Sequence, residues 1–195
     1  MKQLWEGLFK KNPVLVLALG LVPAVAVTTT AANGLALGII TTVIWLIATV
    51  VNHFIRPLVP ANARLAVRVV VLTALVAVAY GYLLGQYPGV VASLGIFLPL
   101  LVVNDLLLQP EGAGEGLAST LLQRLGQGLG FVLALVVIGV IREFFGFGAI
   151  FGKQIMTGSL APMSLASSVP GGLIIVGLLL ALANLVTKQG GELHD

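Results

Sequence analysis

The chain has 195 residues, of which 58% are hydrophobic and only 9% charged, with a formal net charge of +3 and a mean hydropathy of +1.10. Soluble domains carry about a quarter charged residues, so the composition excludes an ordinary soluble fold and defines an integral membrane protein. The basic residues stand at the ends of apolar runs rather than interleaved with aromatics, which argues against nucleic acid as a partner, and the absence of cysteine removes disulfides, thiolate ligands and thiol nucleophiles from this chain.

Lys10-Lys11-Asn12-Pro13 precede the first apolar run, which continues without a clean small-x-small cleavage site, so a removed signal peptide is not expected. A bilayer core of about 30 Å takes about 20 apolar residues as a helix. Six runs qualify, over 13–31, 34–55, 65–85, 88–108, 126–145 and 169–187. The link at Asn33-Gly34 is very short, which marks the first span as irregular. Pro57 and Pro60 place a loop between His53 and Arg68, and Pro88-Gly89 opens the fourth span. Gln109 to Gly116 reads as a loop; residues 146–168, rich in Gly, Ser and Pro, read as a longer one with a short interfacial piece. These lengths suit helices and not strands, which would cross in about ten alternating residues.

With the N-terminus cytoplasmic, the inner side holds Lys2, Lys10, Lys11, Arg56, Arg64, Arg68, Arg124 and Lys188, and the outer side only Arg142 and Lys153. That asymmetry puts both termini inside.

Two spans share a pattern. Residues 19–30 read LGLVPAVAVTTT and residues 94–105 read LGIFLPLLVVND: each opens Leu-Gly, reaches Pro23 or Pro99, and runs into polar residues. A proline within a helix removes a hydrogen bond and clashes with the preceding turn. With three spans per half, the two stretches cross in opposite directions, and paired broken spans in inverted halves point to a functional centre near the midplane. Thr28, Thr29, Thr30 and Asn104 are placed to satisfy backbone groups freed by the breaks. The expected architecture is all-α, one membrane domain over 1–195, with six helices in two inverted three-helix repeats (about 13–85 and 88–187) and broken first and fourth spans.

Several motifs in order, WEGLFKKNPVLV, LGLVPAVAVT, SLGIFLPLLVVN, GLGFVLALVVIGVIREFFGFGAIFG and PGGLIIVGLLLALAN, resemble the E-type component of the Rnf (or Rsx) electron-transport complex and its D-type counterpart in the sodium-pumping NADH:quinone reductase. The resemblance implies a subunit of a translocase in the bacterial cytoplasmic membrane, coupling electron transfer to Na+ or H+ movement. It also implies an inverted, homologous A-type partner and B-, C-, D- and G-type subunits around the pair. In the family each broken span carries one cysteine, and two from each partner hold a [2Fe–2S] cluster, for which thiolates are the usual ligands. Here those positions are Val22, in GLVP, and Asp105, in VVND, and the segment that follows reads LLLQPEGAGE where the family has a GRAEAF-like sequence. The divergence is regional. The expectation is that this chain alone cannot ligate the usual cluster; a cluster shared with the partner is the remaining alternative.

Asp105 is the acidic residue nearest the membrane interior. A carboxylate there is by default a functional hypothesis, so Asp105, with Asn104 and Thr28, forms a candidate ion or proton site; the structural alternative is a cap reaching headgroup water. Arg142-Glu143 ends the fifth span, where adjacent residues do not share a helix face, and is assigned to anchoring or a subunit interface. His53 and the aromatics Trp5, Trp45, Tyr80, Tyr82 and Tyr87 read as interfacial or packing groups. Gly126, Gly130, Gly139, Gly146 and Gly148 suit close helix packing. No paired carboxylates, catalytic triad, metal-spaced histidines or phosphate loop is visible in the sequence, so a non-catalytic subunit is expected. The alternatives are a non-redox cation or proton transporter and a purely structural subunit.

Overall fold

The structure, a computed structural model, describes Val14 and residues 20–109, 116–155 and 163–187. Lys2, Trp5, Lys10, Lys11 and Lys188, most of the first half of the first span, and the centre of the QPEGAGEG loop lie outside the described residues.

The chain is mostly helical. A short helix α1 (Leu21–Val27) turns through Thr28–Thr30 into α2 (Ala31–Ile55), and 3-10 turns at Arg56–Leu58 and Ala61–Ala63 lead into α3 (Arg64–Gln86). The fourth expected span is a series of pieces: α4 (Pro88–Leu94), 3-10 segments Gly95–Phe97 and Pro99–Val103, and α5 (Asp105–Leu108). The long α6 (Leu117–Phe147), a hairpin of β1 (Ala149–Ile150) and β2 (Lys153–Gln154), α7 (Ser164–Ser167) and α8 (Val169–Thr187) complete the described chain. Among the described residues, three stretches are long and apolar enough to cross a membrane: Ala31–Leu58, Ala61–Gln86 and Leu117–Phe147. Pro88–Phe97 and Val169–Leu185 are apolar but shorter.

Several expected boundaries move for local reasons. Asn33 and Gly34 belong to the first turn of α2 rather than to a link, because the Thr30 hydroxyl accepts from Asn33 N at 3.2 Å and starts the helix there. Helix α6 begins at Leu117, well before the expected 126, and takes in Arg124, whose guanidinium lies 4.7 Å from the Trp45 ring centroid. That contact offsets part of the penalty of a buried cation, and Trp45, at 2% exposure, is a packing residue and not a belt one. The all-α expectation needs one amendment, the hairpin, whose turn residues Phe151 and Gly152 take φ of 49° and 75°, the positive values of a tight two-residue turn.

Helices α2 and α6 form the central antiparallel pair. A Cβ built on Gly34 would stand 2.6 Å from Leu135 O, one on Gly38 3.0 Å from Val132 Cα, one on Gly128 2.4 Å from Thr42 Cγ2, and one on Gly139 2.8 Å from Thr30 O. Rising numbers on α2 meet falling numbers on α6, which fixes the antiparallel sense. In lipid there is little hydrophobic drive between helices, so backbone approach at small residues supplies the packing energy. Around this seam Leu37, Ile44, Phe131, Leu135 and Ile138 form one core with Leu72 and Val76 of α3 and with Leu94, Leu98, Leu101 and Leu106 of the broken span.

Candidate functional site at the two broken spans

The breaks fall at the glycines. Gly20 and Gly95, the second residues of the two Leu-Gly pairs, take φ of 69° and 55°, a region that costs other residues about 1–2 kcal/mol. The prolines instead begin helical pieces. Pro23 lies in the first turn of α1, whose N-cap is Gly20, and Pro99 is the first residue of the 3-10 segment Pro99–Val103. A first-turn N–H has no intrahelical partner anyway, so proline there costs nothing and presets φ. The sequence pattern located both breaks, but their agent is the glycine.

The two breaks meet. Helix α1 packs against Gly95–Phe97, and a Cβ on Gly20 would stand 2.9 Å from the Phe131 ring and 3.6 Å from Asn104 Oδ1. Asn104 is buried and caps α5, its Oδ1 accepting from Leu106 N at 3.0 Å, while its Nδ2 has no hydrogen-bond partner among the described residues. Asp105 follows at the first position of α5, where the helix N-terminus favours a carboxylate, and it is exposed. Val22 is 70% exposed and carries no donor atom. Thr28 is fully buried; its hydroxyl donates to Ala24 O at the end of α1. The structure therefore gathers Gly20 with Asn104, gives Thr28 a capping role at α1, and leaves Val22 and Asp105 on the surface.

Arg142 and Glu143 lie inside the chain, at 0% and 2% exposure, instead of on the outer face that an anchoring or interface role requires. The Arg142 guanidinium uses all five of its N–H donors. Nε donates to Ala166 O at 3.2 Å; Nη1 donates to Val25 O and to Thr28 Oγ1 at 3.1 Å; Nη2 donates to Ser167 O at 3.0 Å and Ser168 O at 3.1 Å. It thereby ties together carbonyls from α1 and from the α7–α8 junction; of these Ser168 O also accepts from Gly172 N at 3.0 Å, while the others lie at helix ends, where ladder partners run out. Gly172 makes room: a Cβ there would stand 2.9 Å from Arg142 Cζ. Glu143 points elsewhere, accepting from Ala31 N at 2.8 Å and from Gly152 N at 2.6 Å. One oxygen caps the N-terminus of α2 and the other holds the hairpin turn. Adjacent residues diverging from one helix thus clasp several segments distant in sequence. The unlike partners explain why residue spacing could not reveal this.

A second clasp lies at the opposite end of α2. Arg68 donates to Leu108 O at 3.0 Å and to Gln109 O, and Arg124 donates to Gln109 Oε1 at 3.0 Å and to Gln127 Oε1 at 3.4 Å. Arginines from α3 and α6 therefore hold the end of the second broken span, as Arg142 holds the end of the first. In the sequence Arg68 and Arg124 read only as topology markers. No local signal marks Arg68, whose partners Leu108 and Gln109 lie 40 and 41 residues away.

Discontinuous helices in contact, small-residue helix crossings and saturated arginine clasps define a polytopic helical membrane protein with two broken apolar stretches in contact. The chain belongs to the Rnf-Nqr family: residues 1–180 match the family described as Rnf-Nqr subunit, membrane protein. It is 39% identical over 193 residues to the E-type component of the Na(+)-translocating ferredoxin:NAD(+) oxidoreductase complex of Acetobacterium woodii, a match covering 97% of this chain and 98% of that protein. It is 39% identical over 205 residues to the E-type component of the ion-translocating oxidoreductase complex of Shewanella oneidensis, covering 95% of this chain and 87% of that one. The protein of the same name from Shewanella sp. (strain ANA-3) is 38% identical with the same coverage.

Proposed function

We propose that this chain is the E-type membrane component of an Rnf-type complex that couples electron transfer to Na+ or H+ translocation. The observation that carries the reading is the end-to-end identity with the E-type component of a ferredoxin:NAD(+) oxidoreductase complex. In this reading the chain forms one membrane domain of six spans in two inverted halves, about 13–85 and 88–187. The antiparallel α2–α6 seam and the positive-φ glycine at the break of each of the two stretches support that symmetry. Both termini lie on the cytoplasmic side of a bacterial inner membrane. The support is the grouping of Arg56, Arg64, Arg68 and Arg124 around one end of α2, with Arg142 at the other.

The inverted A-type partner would dock over the exposed faces of the two breaks, where Val22 and Asp105 lie, with the B-, C-, D- and G-type subunits completing the complex. The donor set at those faces, one carboxylate and an alkyl group, does not fit a [2Fe–2S] cluster that takes two ligands from each partner. We therefore route no electron step through this chain's side chains and assign it a different task. It holds two broken spans rigid at mid-membrane by clasping their ends, and it presents Asp105 and Asn104 beside the partner. Asp105 is the residue through which the chain would touch the moving ion or proton, with the buried Asn104 and Thr28 keeping the breaks open.

The test is made on the purified complex by iron determination and electron paramagnetic resonance. The expected result is no [2Fe–2S] signal from the membrane pair, and a full signal assigned to that pair overturns the assignment. For Asp105, ion transport by the Asp105→Asn complex should fall with its pH profile altered; unchanged transport and profile would make the carboxylate a cap only.

A further inference from the structure

A cleft of about 350 Å³ opens at the α2–α3 connection, lined by Asn52, Arg56, Arg64, Leu65, Arg68 and Leu108 among others. Three guanidinium groups share it with aliphatic side chains. Arg64 is the first residue of α3 and Arg68 lies one turn further; no acidic residue occupies that first turn, and no side chain caps its N-terminus. A helix N-terminus carries partial positive charge and favours anions, so cations here are placed against the dipole. An anion among the three guanidiniums would oppose that charge and add to the bonds they already make, such as those of Arg68 to Leu108 O and Gln109 O.

The surroundings select the kind of anion. Leu65 lines the cleft, and it and Phe54 and Leu58, within two residues of the arginines in sequence, are 62%, 66% and 83% exposed, while further along α3 Val70 and Val78 are exposed apolar residues. A free phosphate gains nothing from such a rim, whereas a phospholipid fills both parts: phosphate on the guanidiniums, acyl chains along α3. Basic pockets between helices at a membrane face bind anionic headgroups in this manner. Arginine offers a planar fork that matches phosphate oxygens.

We infer that the Arg56–Arg64–Arg68 cleft is a binding site for the phosphate headgroup of an anionic phospholipid. The site requires only that the chain sit in a bilayer and is independent of the electron-transfer reading. Arg68 also fastens Leu108 and Gln109, so the lipid would brace the same end of the broken span from outside.

The experiment uses the purified complex, delipidated in detergent and then given phosphatidylglycerol, phosphatidylcholine or inorganic phosphate, with retained lipid measured by native mass spectrometry and stability by thermal melting. Phosphatidylglycerol should be retained and raise the melting temperature; phosphatidylcholine and phosphate should do neither. The Arg56→Gln/Arg64→Gln complex, which leaves Arg68 in place, should bind phosphatidylglycerol roughly thirtyfold more weakly. Arg64→Gln alone, on an exposed side chain, should lose roughly fivefold. Equal retention of phosphatidylcholine, displacement of the lipid by inorganic phosphate, or undiminished binding by both variants overturns the proposal. Dissociation of a neighbouring subunit from the variant, with lipid retained, would make the cleft a protein contact and overturn it as well.

Discussion

Arg142→Met tests the clasp most directly. Methionine keeps much of the volume of the arginine stem but removes all five donors. Val25 O, Ala166 O, Ser167 O and Ser168 O then lose their guanidinium partners. Ser168 O keeps its bond from Gly172 N; a buried polar group left unsatisfied costs about 1–3 kcal/mol, so even at the low end the other three carbonyls amount to about 3 kcal/mol, a large share of the margin of a typical fold. The partners lie on segments distant in sequence, so the loss should loosen the α1 and α7–α8 ends together. Thermal melting of the complex in detergent, with limited chymotrypsin digestion, reads both effects: a melting temperature lower by many degrees and faster cleavage between residues 163 and 169. Arg142→Lys should fall between, because an ammonium has three donors and no fork. An Arg142→Met complex with unchanged melting and unchanged protease protection would refute the view that this buried cation holds the chain together.

Gly128→Ala should destabilise by about 1–3 kcal/mol through overpacking, since its Cβ would lie 2.4 Å from Thr42 Cγ2; Thr42→Ser in the same chain should recover part of the loss, measured by melting as a double-mutant cycle. Gly20→Ala should cost about 1–2 kcal/mol from its positive φ, with an added clash against Phe131, and should lower the yield of folded protein in fluorescence-detected chromatography. Glu143→Gln turns one acceptor into a donor facing an amide N–H. Hydrogen exchange should therefore speed at Ala31 or Gly152, the two amides the carboxylate now holds. Because the chain has no cysteine of its own, Val22→Cys gives a probe with no competing thiol in this chain. A maleimide should label it readily in the isolated chain and slowly in the assembled complex, and equal rates would place the partner elsewhere.

Composition and period sufficed for much of the architecture. The apolar runs anticipated α2, α3, α6 and α8 as helices, because a segment in lipid must satisfy its own backbone and length then sets the span. The repeated Leu-Gly…Pro pattern located both broken stretches, since a glycine followed within a few residues by a proline acts on its own backbone and is a local signal. Thr30 and Asn104 were legible as caps for the same reason: their bonds reach two or three residues along the chain.

Contacts between distant segments were not legible. Nothing local distinguishes an arginine at a membrane interface from Arg142, whose partners lie 24 to 117 residues away. Adjacent Arg142 and Glu143 looked like a surface pair because span ends usually meet water, whereas here the α1 turn, the hairpin and the α7–α8 junction fold over that end. Val22 and Asp105 show the complementary case. Their chemistry is plain in the sequence, an alkyl group and a carboxylate where no thiol stands, but their exposure beside two joined breaks came only from the folded chain. Sequence determined what each segment is made of and where it must bend, because those are nearest-neighbour properties. Tertiary structure alone decided which buried charge meets which orphaned carbonyl, because that pairing is set by how helices cross.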